Sequence, residues 1–291
     1  MFVEVIDVII SGLLTASVYA LMAVGLTLVY GVTKVFNFAY GSLYNLGGYI
    51  AWVLLTVVGV FGGYLTVFIL AIPMLLVVGY LLEKTLVAPL RKRSDWEVKV
   101  MMMTLGLSIL IDALYVAAFG GRMKSLPPIV DGYSEIYGVI LSNQDIVVFV
   151  VSVVGILLLA WFLNNTRMGL AVQAVAQNPV GSQIVGIPKD RVFAATFAIS
   201  TVMVGIGGIL LSQKYFVNPA EGSNIMIKAW VITAFGGMGS IRGSLYAALI
   251  VGMLEAFVGW TIGLSYTMIV LFIVLIATLV VRPQGLMGKG A

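Results

Sequence analysis

The chain contains no cysteine and no histidine among its 291 residues. Disulfides and thiol chemistry are excluded, and so is any imidazole acting as acid, base or metal ligand. A zinc or haem site has none of its ordinary ligands, and a Ser-His-Asp triad would lack its central member. No cofactor and no metal is therefore expected, and no catalytic residue. Charge is scarce as well. Only 10% of the residues are Asp, Glu, Lys or Arg, against about 25% in soluble domains. With 61% hydrophobic residues, the chain has too little polar surface to face water, so lipid has to be its solvent.

What charge there is has a pattern. The net charge of +4 could suggest a nucleic-acid partner, but the basic residues sit in short loops between apolar runs, as cytoplasmic loops of membrane proteins do. No nucleic acid is expected. The start of the chain is acidic (Glu4, Asp7), whereas a cleaved signal peptide needs a basic region there; the first apolar run is read as a retained span.

An apolar run of about 20 residues crosses a bilayer as a helix. Such runs lie near 8–33, 41–58, 65–83, 100–119, 145–164, 193–213, 228–259 and 265–281. The first and seventh look irregular. The seventh is interrupted by Phe235-Gly-Gly-Met-Gly-Ser-Ile-Arg-Gly243, which predicts a short helix, a tight glycine turn and a second helix. The expected fold is an all-α polytopic membrane protein of about 8–10 transmembrane helices with two interrupted or hairpin segments. It forms one transmembrane domain over 1–291, with no room for a soluble domain.

Lys84, Arg91, Lys92, Arg93 and Lys99 place loop 84–99 in the cytoplasm, and Arg167, Lys189 and Arg191 do the same for 165–192. Loop 120–144, with Asp131 and Glu135, then faces outward, as does the N-terminus. If 228–259 is a hairpin turning at its glycines, the tail with Arg282 and Lys289 returns to the cytoplasm; a single crossing would put it outside, against the charge rule.

Three segments are candidates for function. The first is the break Lys34-Val-Phe-Asn-Phe-Ala-Tyr-Gly41, where Asn37, Phe38, Tyr40, Gly41 and the following Tyr44 could line a solute path, since broken backbone at membrane depth has to face protein or a water-filled cavity. It could equally be a surface loop with Asn37 capping the next helix. The second break offers Gly236, Gly237, Gly239, Ser240 and Gly243, either as a hinge bordering the path or as close helix packing through small residues. It has no lysine where a phosphate-binding loop needs one, and the whole chain lacks G-x-x-x-x-G-K-[ST]. Gly41-Ser-Leu-Tyr44 recurs as Gly243-Ser-Leu-Tyr246, each copy opening an apolar span after a break. About one such match arises by chance, but paired interrupted segments also point to a transporter's substrate site.

The third segment, Thr166 to Ile187, is too polar to span. A helix with Ala171, Ala174 and Val175 on one face and Gln173 and Gln177 on another is followed by Asn178-Pro179, which starts a second short helix, and Gly186, which ends it. Such a pair could dock into a partner's groove or rest on lipid. Two acids, Asp112 and Glu255, fall inside spans, where ionisable groups are costly and stand as functional hypotheses. They would serve an ion-coupled carrier, or form a structural pair.

These segments carry a resemblance. Ala23-Val-Gly-Leu-Thr-Leu-Val-Tyr-Gly31 leads into Val35-Phe-Asn-Phe-Ala-Tyr-Gly41. Thr166-Arg-Met-Gly169 follows with Ala176-Gln-Asn178 and Gly186-Ile187, and then Asn218-Pro-Ala-Glu-Gly222 with Phe235-Gly-Gly-Met-Gly-Ser240. In this order and spacing, from about residue 8 to Arg282-Pro-Gln-Gly285, the chain resembles permease subunits of the branched-chain amino acid ABC transporters, the branch that also holds ribose-type and urea-type permeases. The family commonly has histidine where Tyr40 stands; tyrosine keeps a hydrogen-bonding group and loses the possible cation. The resemblance implies the ABC importer permease fold and an inner-membrane location. It also implies a second homologous permease subunit, two ATPase subunits that bind ATP, and a soluble substrate-binding protein. Arg167, Gly169, Ala174, Asn178, Pro179, Gly186 and Ile187 would belong to the region contacting the ATPase, and the two breaks would line the path. The implied cargo is leucine, isoleucine or valine, with urea, amides and other amino acids also open. The competing reading is a stand-alone ion-coupled secondary transporter or channel driven through Asp112 or Glu255; a long cytoplasmic docking loop is what such a carrier has no use for.

Overall fold

Without water to satisfy them, backbone groups at membrane depth must bond within their own segment, and almost every apolar run here is a helix. The computed structural model describes residues 2–59, 62–136 and 138–288. Its helices are α1 (Phe2–Thr33), α2 (Tyr40–Trp52), α3 (Gly63–Leu82), α4 (Ala88–Leu90), α5 (Trp96–Phe119), α6 (Asn143–Asn165), α7 (Arg167–Gln177), α8 (Pro179–Ile184), α9 (Lys189–Tyr215), α10 (Glu221–Gly236), α11 (Ile241–Thr261) and α12 (Thr267–Val281). A π-helical turn, Val53–Val58, prolongs α2, and another, Glu83–Val87, joins α3 to α4.

Among the described residues, eight helices are long and apolar enough to cross a membrane. With its 16 residues α10 is shorter, yet it too runs between the two ends of the molecule. Val217, just before it, bridges to Lys124 in the outer connection, and the turn after it packs Gly239 against Gly31 near the end of α1. The chain is a multi-pass membrane protein of the cell membrane.

One expectation needs correction. The first span is not irregular: α1 is continuous over Phe2–Thr33. Its glycines are contact points, not breaks, since a Cβ on Gly12 would press on Met253 and one on Gly25 on the Tyr40 hydroxyl. The all-α bundle carries one small addition outside its spans. Tyr133–Ile136 (β1) and Val139–Ser142 (β2) form an antiparallel hairpin in the outer loop, Tyr133 opposite Ser142. The seventh run is a helix, a glycine turn and a helix, as the sequence suggested, though the first of these helices begins at Glu221, seven residues before Lys228.

The helices sort into an inner and an outer set. The most apolar stretch of α9 is 78% buried within the chain and that of α1 61%, against 17% in α5 and 11% in α12. α1 lies along α11 and α9, and α9 also carries α2 and α3. Lipid is as apolar as leucine, so close packing rather than escape from water holds such helices together. Gly47 of α2 lies against the backbone of Gly205, and Gly208 of α9 against the carbonyl of Tyr44. Tyr49 stacks on Tyr115 and Phe119, each 4.6 Å away, which ties α2 to α5.

The basic loops share one end. Val29, Val35, Val87, Val100 and Phe197 pack into one cluster there, and Arg91 pairs with Asp190 at 3.1 Å. Met287 donates its N–H to the carbonyl of Gly236 at 3.1 Å, so the Arg282 tail is fastened at the same end; Lys289 lies outside the described residues. This is the hairpin arrangement of 228–259.

Candidate functional site

The chain between α1 and α2 does not stay at the surface. Lys34 ends α1 with a left-handed backbone (φ 58°), and an extended stretch climbs back along the bundle. Tyr40 opens α2 level with the middle of α1, where its hydroxyl donates to the carbonyl of Met22 at 2.6 Å. Asn37 accepts from the N–H of Ala39 at 3.0 Å, a turn into α2 rather than a cap on it. The N–H of Phe38 reaches Thr104 of α5 at 3.1 Å. Phe36 and Phe38 grip Trp230 of α10 from two sides, 4.8 and 4.5 Å between ring centres. Of the residues singled out here, Asn37, Tyr40, Gly41 and Tyr44 are buried and Phe38 is half-open. A tyrosine bonded to a helix carbonyl serves as a neutral post, which accounts for a residue without charge at this position.

The second break is a tight turn. Gly237 (φ 99°) and Gly239 (φ 88°) take conformations that side chains resist. Ser240 then caps α11, accepting from the N–H of Gly243 at 3.2 Å. Gly236 and Gly243 meet backbone to backbone: a Cβ on Gly236 would sit 2.6 Å from the Gly243 carbonyl carbon. The segment is at once a turn and a small-residue contact.

The two breaks approach each other only at their margins, where a Cβ on Gly239 would lie 3.9 Å from the Lys34 ammonium, and they grip α10 at its two ends. Gly41 lies on Gly222 at the start of α10, as Gly243 lies on Gly236 at its finish.

In the third segment Thr166 caps α7, accepting from the N–H of Gly169 at 3.0 Å, and Asn178 caps α8, accepting from Gly181 at 2.8 Å, with Pro179 at the first position of α8. Gly169 fits tightly against the carbonyl of Phe162, where no side chain has room. Gly186 (φ 84°) turns the chain toward α9, and Ile187 closes it by donating to the Ser182 carbonyl at 2.9 Å. Gln173 does not lie idle on an outer face; it donates to the Leu163 carbonyl at 2.6 Å, satisfying an orphan group at the end of α6. Val172 and Val175 are buried, and Ala174 is half-buried with them. Arg167 is exposed. The most open apolar groups are on α8 and its exit, Val180 (70% exposed), Ile184 (82%) and Val185 (74%), with Leu170 of α7 open at 54%.

The two intramembrane acids part company. Glu255 is paired with Lys228 of α10 at 2.8 Å, and the Tyr19 hydroxyl donates to its other oxygen at 2.9 Å. Asp112 keeps one enclosed oxygen, Oδ1, without a hydrogen-bond partner among the described residues. Sequence reasoning overlooked Lys228 and Tyr19. A signal was present: a hairpin that puts Gly236 on Gly243 also brings Lys228 within one helical turn of Glu255. It overlooked Glu83 too, which is buried and paired with Arg91 at 2.6 Å, while the Arg91 guanidinium lies 4.3 Å over the Phe193 ring. Arg91 is therefore a packing residue and not simply loop charge.

The family model described as "Branched-chain amino acid transport system / permease component" matches residues 8–279. Curated relatives span almost the whole chain. The high-affinity branched-chain amino acid transport system permease protein BraD of Pseudomonas aeruginosa is 31% identical, covering 96% of this chain and 94% of its own length. The corresponding protein LivH of Escherichia coli K12 is 32% identical with the same coverage. A probable LivH of Methanocaldococcus jannaschii is 29% identical over 94% of this chain and 89% of its own length. No solved structure matches. A polytopic helical bundle with broken segments gripping one helix, matched over its length by these permeases, belongs to the family of branched-chain amino acid transport system permease components.

Proposed function

We propose that this chain is the pathway-forming permease subunit of an ATP-driven importer of leucine, isoleucine and valine, the cargo class that the names of its relatives carry. It works with a second homologous permease subunit, two ATPase subunits that bind and hydrolyse ATP, and a soluble substrate-binding protein. The permease itself is not catalytic. The two breaks, from Asn37 to Tyr44 and from Gly236 to Gly243, border the path through their grip on α10. Arg167–Ile187 is the coupling region.

The observation that carries this reading is the open apolar face of α8 on a doubly capped, braced pair of helices at the basic end. A mobile loop would absorb a partner's motion; two helices locked by Thr166, Asn178 and Gln173 pass it on. ATP has to be bound by such a partner, because the sequence has no phosphate-binding loop.

The test is co-purification of the ATPase with the permease, together with leucine uptake. Ile184→Glu, which places a charge on the open face, is expected to release the ATPase and reduce uptake at least tenfold, with membrane insertion unchanged. Asp112→Asn is expected to keep uptake within about twofold, since ATP-driven import requires no ion site. ATPase retention and parental uptake in Ile184→Glu would defeat the coupling assignment, and abolished uptake in a fully assembled Asp112→Asn transporter would favour the ion-coupled carrier.

A further inference from the structure

The Lys228–Glu255 pair borders an unfilled space. A cavity of about 230 Å³ lies between α1, α6, α9, α10, α11 and α12. Its rim is formed by Asp145 at the start of α6, Lys214 and Tyr215 at the end of α9, and Glu221 at the start of α10. All are at the end opposite the basic loops, so the cavity reaches inward from the outer face. Lys214 and Asp145 pair across that rim at 3.4 Å. Deeper, Lys228 donates to Tyr19 at 2.6 Å and to Glu255 at 2.8 Å. The remaining wall is apolar, with Leu14, Val18, Leu211, Ile225 and Met268.

The geometry points to a binding site for one free amino acid with an apolar side chain. The site rests on the import reading above and adds to it a station within this subunit, separate from the two breaks. An ammonium and a carboxylate held next to each other are the complement of a zwitterion: the ligand's carboxylate goes to Lys228 and its ammonium to Glu255. Each charge exchanges its internal partner for an equivalent external one, so neither is left unpaired. That matters because leaving one member of a buried pair bare is the costly step. The Tyr19 hydroxyl can serve either state, as donor or acceptor. Size agrees as well. A cavity of about 150 Å³ accommodates benzene, so this one holds a branched aliphatic side chain and its head group. A pair kept only to bind helices together would do as well or better as packed hydrocarbon, and would have no reason to face a cavity. Ionisable groups at membrane depth are functional by default.

The native chain lacks cysteine, so a thiol introduced in the cavity wall reports on it alone. The full-length chain carrying Thr15→Cys, in nanodiscs of phosphatidylethanolamine and phosphatidylglycerol, is treated with a small methanethiosulfonate reagent. The probes are L-leucine, leucinamide, which lacks the carboxylate, and 4-methylpentanoate, which lacks the ammonium. L-Leucine is expected to slow modification at least tenfold and each analogue to slow it less than twofold. Lys228→Met and Glu255→Gln should each abolish protection by leucine. Leu14→Trp, which fills the cavity without touching the charges, should abolish it too and guards against a variant that misfolds. Equal protection by all three probes, or protection by none, overturns the proposal; the cavity is then an apolar void or a lipid pocket. Uptake by the assembled transporter separates the two readings. Parental leucine uptake in Leu14→Trp removes the site from the path and leaves the import function standing. A parent transporter that takes up no branched-chain amino acid refutes the import function, while thiol protection still decides the site.

Discussion

Gly-Ser-Leu-Tyr occurs at the start of α2 and again at the start of α11, and the two copies agree for two residues before they part. Gly41 and Gly243 each lie against a glycine of α10, at Gly222 and Gly236. Ser42 and Ser244 are both buried, and each reaches a hydroxyl on a neighbouring helix: Ser108 of α5 at 2.8 Å and Thr27 of α1 at 2.5 Å. The tyrosines differ. Tyr44 is enclosed and Tyr246 is 54% exposed. The repeated part is thus the part that lets one backbone meet α10 and then bonds a hydroxyl to a third helix, and both are ways in which small residues associate helices in lipid. α10 is held at both ends by the same device, with Lys228 between them. The tyrosine is free to serve whatever each side needs.

The strongest way to break this symmetry is to separate the backbones. Gly222→Val and Gly236→Val each put methyl groups where a carbonyl already sits, and neither neighbour is a flexible side-chain tip. Overpacking of this kind costs about 1–3 kcal/mol in a tight core, and backbone contact puts these sites at the upper end. Both variants are expected to lose most of their folded material by gel filtration and to lower the melting temperature of what remains, by similar amounts. Gly106, which a Cβ would leave in open space, serves as the control, and Gly106→Val should change little. A mild Gly222→Val with a severe Gly236→Val would show that only the hairpin end of α10 is fastened.

A smaller effect tests the serines. An interhelical hydroxyl bond in a membrane protein contributes about 0.6 kcal/mol on average. Ser42→Ala and Ser244→Ala should each lower thermal stability slightly, Ser42→Ala the more. Thr27 retains a second partner, Thr233 at 3.3 Å, whereas Ser42 holds both the hydroxyl and the carbonyl of Ser108. The reverse order would mean that the Ser244–Thr27 bond on the α1–α11 seam contributes more than the Ser42–Ser108 bond.

Much of this was legible beforehand, and the reason is the solvent. In lipid a helix has to be long and apolar, so a run such as 8–33 or 265–281 stands out with no knowledge of its neighbours. The hairpin at Gly237 and Gly239 was readable because backbone at positive φ selects glycine. The helix pair at Arg167–Ile184 was readable because Thr166, Asn178 and Pro179 are local signals. What was hidden depended on pairs distant in sequence. Lys228 looked like the edge of a span and Glu255 like an isolated acid until the hairpin register joined them. Glu83 and Arg91 are close in sequence, but the pair is buried only because Phe193 of α9 lies beneath the guanidinium, and no periodicity announces that. The cavity beside Glu255 draws its walls from six helices and has no signature in any one of them.

The smallest expected loss of stability sharpens the comparison most. The Tyr44 hydroxyl is buried and has no hydrogen-bond partner among the described residues. A buried donor left unbonded costs about 1–3 kcal/mol, so Tyr44→Phe should leave stability unchanged or raise the melting temperature. Tyr246→Phe changes an exposed group and should do neither. The proposal that the first break borders the solute path gives the Tyr44 hydroxyl a use that would account for its retention at such a cost. On that reading Tyr44→Phe reduces leucine uptake several-fold in a transporter that is at least as stable as the parent, while Tyr246→Phe transports normally. Thermal melts and initial uptake rates on the same two preparations decide the matter. A Tyr44→Phe protein that melts lower shows the hydroxyl to be a structural bond, and one that melts higher and transports at the parental rate removes Tyr44 from the path. In either case the repeat would mark helix packing alone, at its fourth residue as at its first.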